Sequence, residues 1–375
     1  MNKLFTIQSQ ASGIRSQNNP PSAIRHWLAA MVLLAASALL LLCASASLCL
    51  ANNQVGQGAA RFFDMGIGAR GSSLGGGFIA LADDGTALYW NPAGLSLLDK
   101  KEVTLMISSS GDASEFSADE TGISHNYLSY VHPQLLGDEL GNFGFGMVNL
   151  GVSEIPLTGP ERVNGLPQAT GTGSDSEYTL LFSWGRKFYH NRLGVGGSLK
   201  FIYQNLIDES TFGYGSDLGV LADLSALAGA KDESLLWILN NLKAGMVIRG
   251  GVNLSWEEHK DSKPSSFSFG LAFEPLKAKS FRWTVALAAN QVREKPLTLS
   301  AGTEFGLSNL PVAVRGSIDN RFLEERAEGF NLNDLNRNCR FSFGLGGSFS
   351  RFRVDYAMIS ENLRTRNQIQ VAVRF

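Results

Sequence analysis

The chain has 375 residues, 41 of them Gly and only 3 Cys, with 32 basic residues against 34 acidic ones for a net charge of −2. That balance offers no basic footprint for nucleic acid. With Cys43 and Cys49 near the N-terminus, Cys339 stands alone in the remainder, so neither a disulfide nor a cysteine metal site can be built there.

Residues 1–26 carry Lys3, Arg15 and Arg25 and no acid, and an unbroken run of apolar and small residues follows over 27–42. Ala44-Ser45-Ala46 and Cys49-Leu50-Ala51 then supply small residues where a cleavage site belongs, so residues 1–51 read as a cleaved export signal. The competing reading is an uncleaved anchor, because the run to Leu50 is long enough to span a bilayer. Cleavage leaves 29 basic against 34 acidic residues, a charge of −5. No later apolar run is long enough for a transmembrane helix, which leaves a soluble periplasmic protein or a closed barrel.

Residues 52–101 are Gly-rich and do not alternate. Glycine lets such a backbone pack closely and take positive φ, so the segment is expected to fold back as a hatch. Asp83 and Asp84 can accept turn N–H groups and cap a short helix over 86–90, which Pro92 ends by forcing Asn91 to extended geometry. These four residues are the hatch or gating candidates; turn chemistry alone would also explain them. Phe62, Phe63, Leu74, Phe78 and Ile79 are the candidates for a hydrophobic pocket. Gly66-Ile67-Gly68-Ala69-Arg70-Gly71 matches a dinucleotide pattern but lacks the strand and βαβ setting that gives the pattern meaning.

From residue 102 onward, period-two alternation recurs almost without pause, at 102–108, 123–131, 141–151, 177–188, 193–206, 213–224, 243–256, 267–274, 281–291, 297–306, 311–318, 340–349, 351–360 and 366–375. These are about fourteen strands, many near the length a tilted membrane strand needs. One face gathers Tyr178, Leu180, Phe182, Leu199, Phe201, Val220, Met246, Ile248, Val252, Leu254 and Trp256. The other carries Lys200, Asp217, Asp223, Arg249, Glu304, Arg315, Arg353 and Asp355 toward a lumen where opposite charges must pair. Trp184, Trp256 and Trp283 suit interfacial girdles.

If the first strand runs outward, the long links 111–122, 153–176, 257–266 and 319–339 share the outer side, and tight links fall on the inner side, the asymmetry of outer-membrane barrels. Link 225–242 departs from the rule, with a short amphipathic helix expected over 233–242. His125, His132, His190 and His259 lack metal-ligand spacing, and no hydrolase or phosphate-loop motif occurs, so a non-enzymatic protein without cofactor or metal is expected. The final strand alternates Ile369, Val371, Val373 and Phe375 with polar and small residues and resembles the closing strand of a bacterial outer-membrane barrel, whose terminal Phe is read by the barrel-assembly machinery.

The hatch block, from the Gly-rich stretch through Ala82-Asp83-Asp84 and Tyr89-Trp90 to Asn91-Pro92-Ala93-Gly94-Leu95, resembles the PorV/PorQ family, a branch of the FadL-like barrels. The likeness extends to Gly215-Ser216-Asp217-Leu218-Gly219, Gly302-Thr303-Glu304-Phe305 and Val354-Asp355-Tyr356. It implies an all-β, transmembrane antiparallel barrel in the outer membrane, with a hatch at 52–101 and the barrel at 102–375. FadL-like relatives pass hydrophobic small molecules; PorV-like relatives serve type IX secretion and accept the C-terminal domain of exported cargo. A soluble periplasmic β-protein that binds a partner is the reading from another class.

Overall fold

A computed structural model describes residues 65–111, 122–137, 139–163, 166–189, 192–207, 209–224, 239–256, 260–277, 281–293, 297–307, 311–319, 339–360 and 365–375. The expected signal at 1–51, Phe62, Phe63, most of the expected helix at 233–242 and much of the links 111–122 and 319–339 lie outside these residues.

Fourteen strands form a closed antiparallel barrel. They are β1 (Glu102–Gly111), β2 (Ile123–His132), β3 (Asn142–Val163), β4 (Leu166–Phe188), β5 (Leu193–Leu206), β6 (Glu209–Asp223) and β7 (Leu242–Arg249). After a separate hairpin of β8 (Val252–Ser255) and β9 (Lys260–Lys263) come β10 (Ser266–Lys277), β11 (Phe281–Val292), β12 (Thr298–Leu307), β13 (Val312–Asp319), β14 (Arg340–Phe349), β15 (Phe352–Ser360) and β16 (Thr365–Arg374). Neighbours in sequence pair with neighbours, β7 pairs with β10, and β16 returns to β1 with Glu102 opposite Arg374 and Gly111 opposite Thr365. Closure removes every sheet edge within the barrel wall, which is the condition for strands to survive in lipid.

The alternation sorts the faces as the sequence suggests. Leu105, Ile107, Leu128, Phe145, Met147, Leu180, Phe182, Leu199, Leu218, Leu287 and Leu345 all point outward and are exposed. An apolar belt of that extent has no place in water and fits a bilayer. Tyr178 pairs with Tyr203 and Tyr203 with Phe212 toward one rim. Trp283 lies outward on the other side, stacked on Phe305 with centroids 5.6 Å apart.

Three segments depart from the expected pattern. Residues 153–176, read as a loop, continue β3 and β4 as a paired hairpin beyond the neighbouring strands: β2 stops pairing at Val152 and β5 at Asp175. The alternation at 243–256 is broken at Gly250 and Gly251, and residues 260–263, read as loop, form β9 against β8. The hairpin turns into the lumen. Val252, Leu254 and Trp256 are therefore buried and not lipid-facing, with Val252 and Leu254 against the inward glycines Gly213 and Gly215 of β6. Trp256 accordingly belongs to no girdle.

Candidate functional site

The described part of the hatch, residues 65–101, fills the inner end of the lumen. It is a string of single turns: α1 (Ala69–Ser72), a 3-10 turn (Gly77–Ala80), α2 (Ala87–Trp90) and a second 3-10 turn (Pro92–Leu97). Turns this short cannot hold themselves by helix cooperativity, so their order comes from what they touch. Leu74, Phe78 and Ile79 are 0–3% exposed and belong to one apolar cluster with Ile67, Leu88, Trp90 and Leu95. Phe78 meets Trp90 edge to face at 6.1 Å. The three pocket candidates within the described residues thus fill the lumen themselves.

The wall makes room by lacking side chains where the hatch comes closest. A methyl group at Gly196 would collide with the backbone of Pro92 and Ala93, and one at Gly219 with the Asn91 amide and the Pro92 ring. Asn91 is extended (φ −162°, ψ 105°), as Pro92 requires. Its Oδ1 accepts from Ala93 N at 3.2 Å, while its Nδ2 donates to Ile79 O at 3.0 Å and to Val220 O at 3.1 Å. One buried amide therefore ties two hatch turns to β6. Pro92 ends α2 and also opens the next turn at its first position, where a missing N–H costs nothing. The bare carbonyls of Tyr89 and Trp90 at the end of α2 accept from Arg249 at 3.3 and 3.1 Å.

The acidic pair divides its work. Asp84 is fully buried, and its Oδ1 accepts from Thr86 N at 2.9 Å, which is the turn cap expected from sequence. Its Oδ2 pairs with Arg353 of β15. Asp83, instead of capping, pairs with Arg70 of α1 and keeps its side chain 44% exposed. Arg70 also reaches Glu304 of β12 at 3.0 Å, Arg315 reaches Glu304 at 2.6 Å and Asp355 at 2.8 Å, and Arg353 reaches Asp355 at 2.7 Å. Arg70 lies 3.9 Å from Asp84, which closes a ring in which three guanidinium groups alternate with three carboxylates, Asp84, Glu304 and Asp355. Burial alone would raise the Asp84 pKa, but Arg353 and Arg70 outweigh it and hold the carboxyl down at about 2. Burial would lower that of Arg70, yet Asp83, Glu304 and Asp84 keep it well above its ordinary value.

A second clasp joins hatch and seam: Glu102 accepts from Gly85 N and, at 2.5 Å, from Arg374 Nε. Tyr127 adds its hydroxyl to Gly85 O at 2.7 Å. Sequence reasoning missed Arg70, Glu102 and Arg374. Arg70 carried a usable signal, since a lone cation inside an apolar Gly-rich segment must find buried acids.

Fold and site together define a closed fourteen-stranded barrel of outer-membrane type whose lumen is stopped by its own N-terminal segment. No family model and no curated protein matches the sequence. Among solved structures the chain is similar to the TodX deltaS2S3 mutant monoaromatic hydrocarbon channel, with a TM-score of 0.50 and 16% identity over 82% of this chain and 98% of that one. It is likewise similar to the Ralstonia pickettii toluene transporter TbuX, with a TM-score of 0.52 and 12% identity over 82% and 97% of the two chains. At such identities the likeness is one of fold.

Proposed function

We propose that the chain is a non-enzymatic conduit of the outer membrane, exported through a cleaved signal, that binds apolar small molecules and passes them by displacing its hatch. The observation that carries this reading is the filling of the lumen: Leu74, Phe78, Ile79 and Trp90 form one apolar cluster, with Leu74 against Gly302 and Ile79 against Gly245 and Gly270 of the wall. A molecule that takes their place must be apolar and compact, because the same surfaces receive it. Two barrels of the same fold are described as a monoaromatic hydrocarbon channel and a toluene transporter, which supports that class of permeant. Within the FadL-like barrels we assign the chain to the PorV/PorQ branch on its Asn91–Leu95 block.

In this reading Asp83, Asp84, Asn91 and Pro92 are the latch, and Phe375 is the mark for the assembly machinery. Native mass spectrometry of the barrel, extracted gently from its own membrane, tests the reading: a retained apolar mass is expected. A retained protein would favour the second reading, a type IX barrel that docks the C-terminal domain of cargo. The feature favouring that second reading is the hairpin of β3 and β4, which stands clear of both neighbouring strands.

A further inference from the structure

We infer that the lumen wall beside the hatch carries a recognition strip for a neutral hydroxylated molecule, an alcohol or phenol, made by Ser108, His125 and Gln368. The strip has a use only if the barrel is a conduit as proposed above, and it narrows the permeant from any apolar molecule to one bearing a hydroxyl. The three residues lie side by side: Ser108 of β1 is opposite His125 of β2 on one side and Gln368 of β16 on the other. All three point inward and are 4%, 1% and 0% exposed. Neither ring nitrogen of His125, nor Ser108 Oγ, nor Gln368 Oε1 has a hydrogen-bond partner among the described residues. Buried polar groups are nearly always paired, so several orphans in one register row call for a shared partner.

The chemistry of the row selects that partner. A neutral imidazole offers one donor and one acceptor, the Ser108 hydroxyl offers both, and Gln368 Oε1 only accepts. A carboxylate has no proton for the accepting atoms, and a hydrocarbon satisfies none of them. A hydroxyl both gives and takes. Across the sheet apolar side chains flank the row, Leu150 opposite His125 and Ala357 opposite Gln368, while along β16 its inward neighbours are the buried Arg366, opposite Ile359, and Gln370. A polar strip with apolar residues on either side across the sheet matches a molecule with one hydroxyl on an apolar body. The strip also adjoins the hatch, since Gln368 Nε2 donates to Gly66 O at 3.2 Å. A permeant that shifts the hatch therefore meets these groups at once.

Isothermal titration of the full barrel in nanodiscs with phenol, toluene and benzoate tests the assignment. Phenol is expected to bind about tenfold more tightly than toluene, the worth of one well-placed hydrogen bond. His125→Leu with Ser108→Ala should erase that preference and leave toluene binding as it was, whereas His125→Gln should keep it. Folding is checked by heat-modifiable gel migration; should the double variant fail it, Gln368→Met alone is expected to weaken phenol and spare toluene. Equal phenol and toluene binding, or benzoate bound more tightly than phenol, overturns the strip while leaving the conduit standing. Absence of binding by both phenol and toluene overturns the conduit and the strip with it.

Discussion

Asp84 serves two partners through one carboxylate, the Thr86 turn within the hatch and Arg353 in the wall. Removing it leaves Arg353 with Asp355 as its remaining carboxylate and an excess of buried positive charge in the ring, the costly way to break an ion pair. Asp84→Ala is expected to destabilise the folded barrel by about 3–5 kcal/mol in urea titrations, and Asp83→Ala by about 0–1 kcal/mol because its partner pair is half open to solvent. The pH dependence follows from the sign of the shift. A folded-state pKa of about 2, below the ordinary 3.8, means that Asp84 stabilises fully above pH ~4 and loses its contribution as pH falls toward 2. Single-channel conductance should therefore stay at its neutral-pH level down to about pH 4 and rise below it as the hatch loosens. Of the acidic pair, only Asp84 was legible in the sequence as turn chemistry, since Asp83 pairs with Arg70 instead. Its ionic role was not, because Arg353 lies 269 residues away and no local spacing encodes that contact.

Among the elements, the block from Asn91 to Leu97 is the joint between hatch and wall. Asn91→Ala removes three hydrogen bonds from buried surroundings and leaves Val220 O and Ile79 O without that donor. With Pro92→Ala it is expected to raise conductance in planar bilayers while the barrel stays folded. Gly196→Val should act in the same direction from the wall side, since a side chain there displaces Pro92. The sequence announced this block through Asn-Pro and its glycines. It did not announce the β8–β9 hairpin. Val252, Leu254 and Trp256 continue the even-numbered phase of Met246 and Ile248, so periodicity reads one long lipid-facing strand. Only Gly250-Gly251 marked the break, and only the inward glycines of β6 explain where the hairpin goes. Gly213→Val is expected to expel it, seen as new protease cleavage between residues 250 and 266 in intact cells.

At the scale of the molecule, the two faces of the wall follow from alternation because a side chain on a strand has only two directions available. Leu199 lies near the middle of β5 and is 55% exposed on the outer face, so Leu199→Arg should cost ~2–4 kcal/mol of bilayer stability. A neutral result would mean that this position does not reach the lipid midplane. The wall also has a seam, where the first strand meets the last. Its contacts span 272 residues from Glu102 to Arg374, and Phe375 N adds a bond to Lys101 O at 3.0 Å. Bringing such distant ends together carries an entropy cost on the order of 5 kcal/mol that no local pairing offsets earlier in folding. Glu102 sits at that seam and at the same time holds Gly85 of the hatch. The pairing of greatest sequence separation is thus tied to the stopper. A barrel closed without its hatch in position would leave Glu102 Oε1 with Thr104 Oγ1 alone and without the Gly85 N–H, so one side chain makes the ring and its stopper support each other.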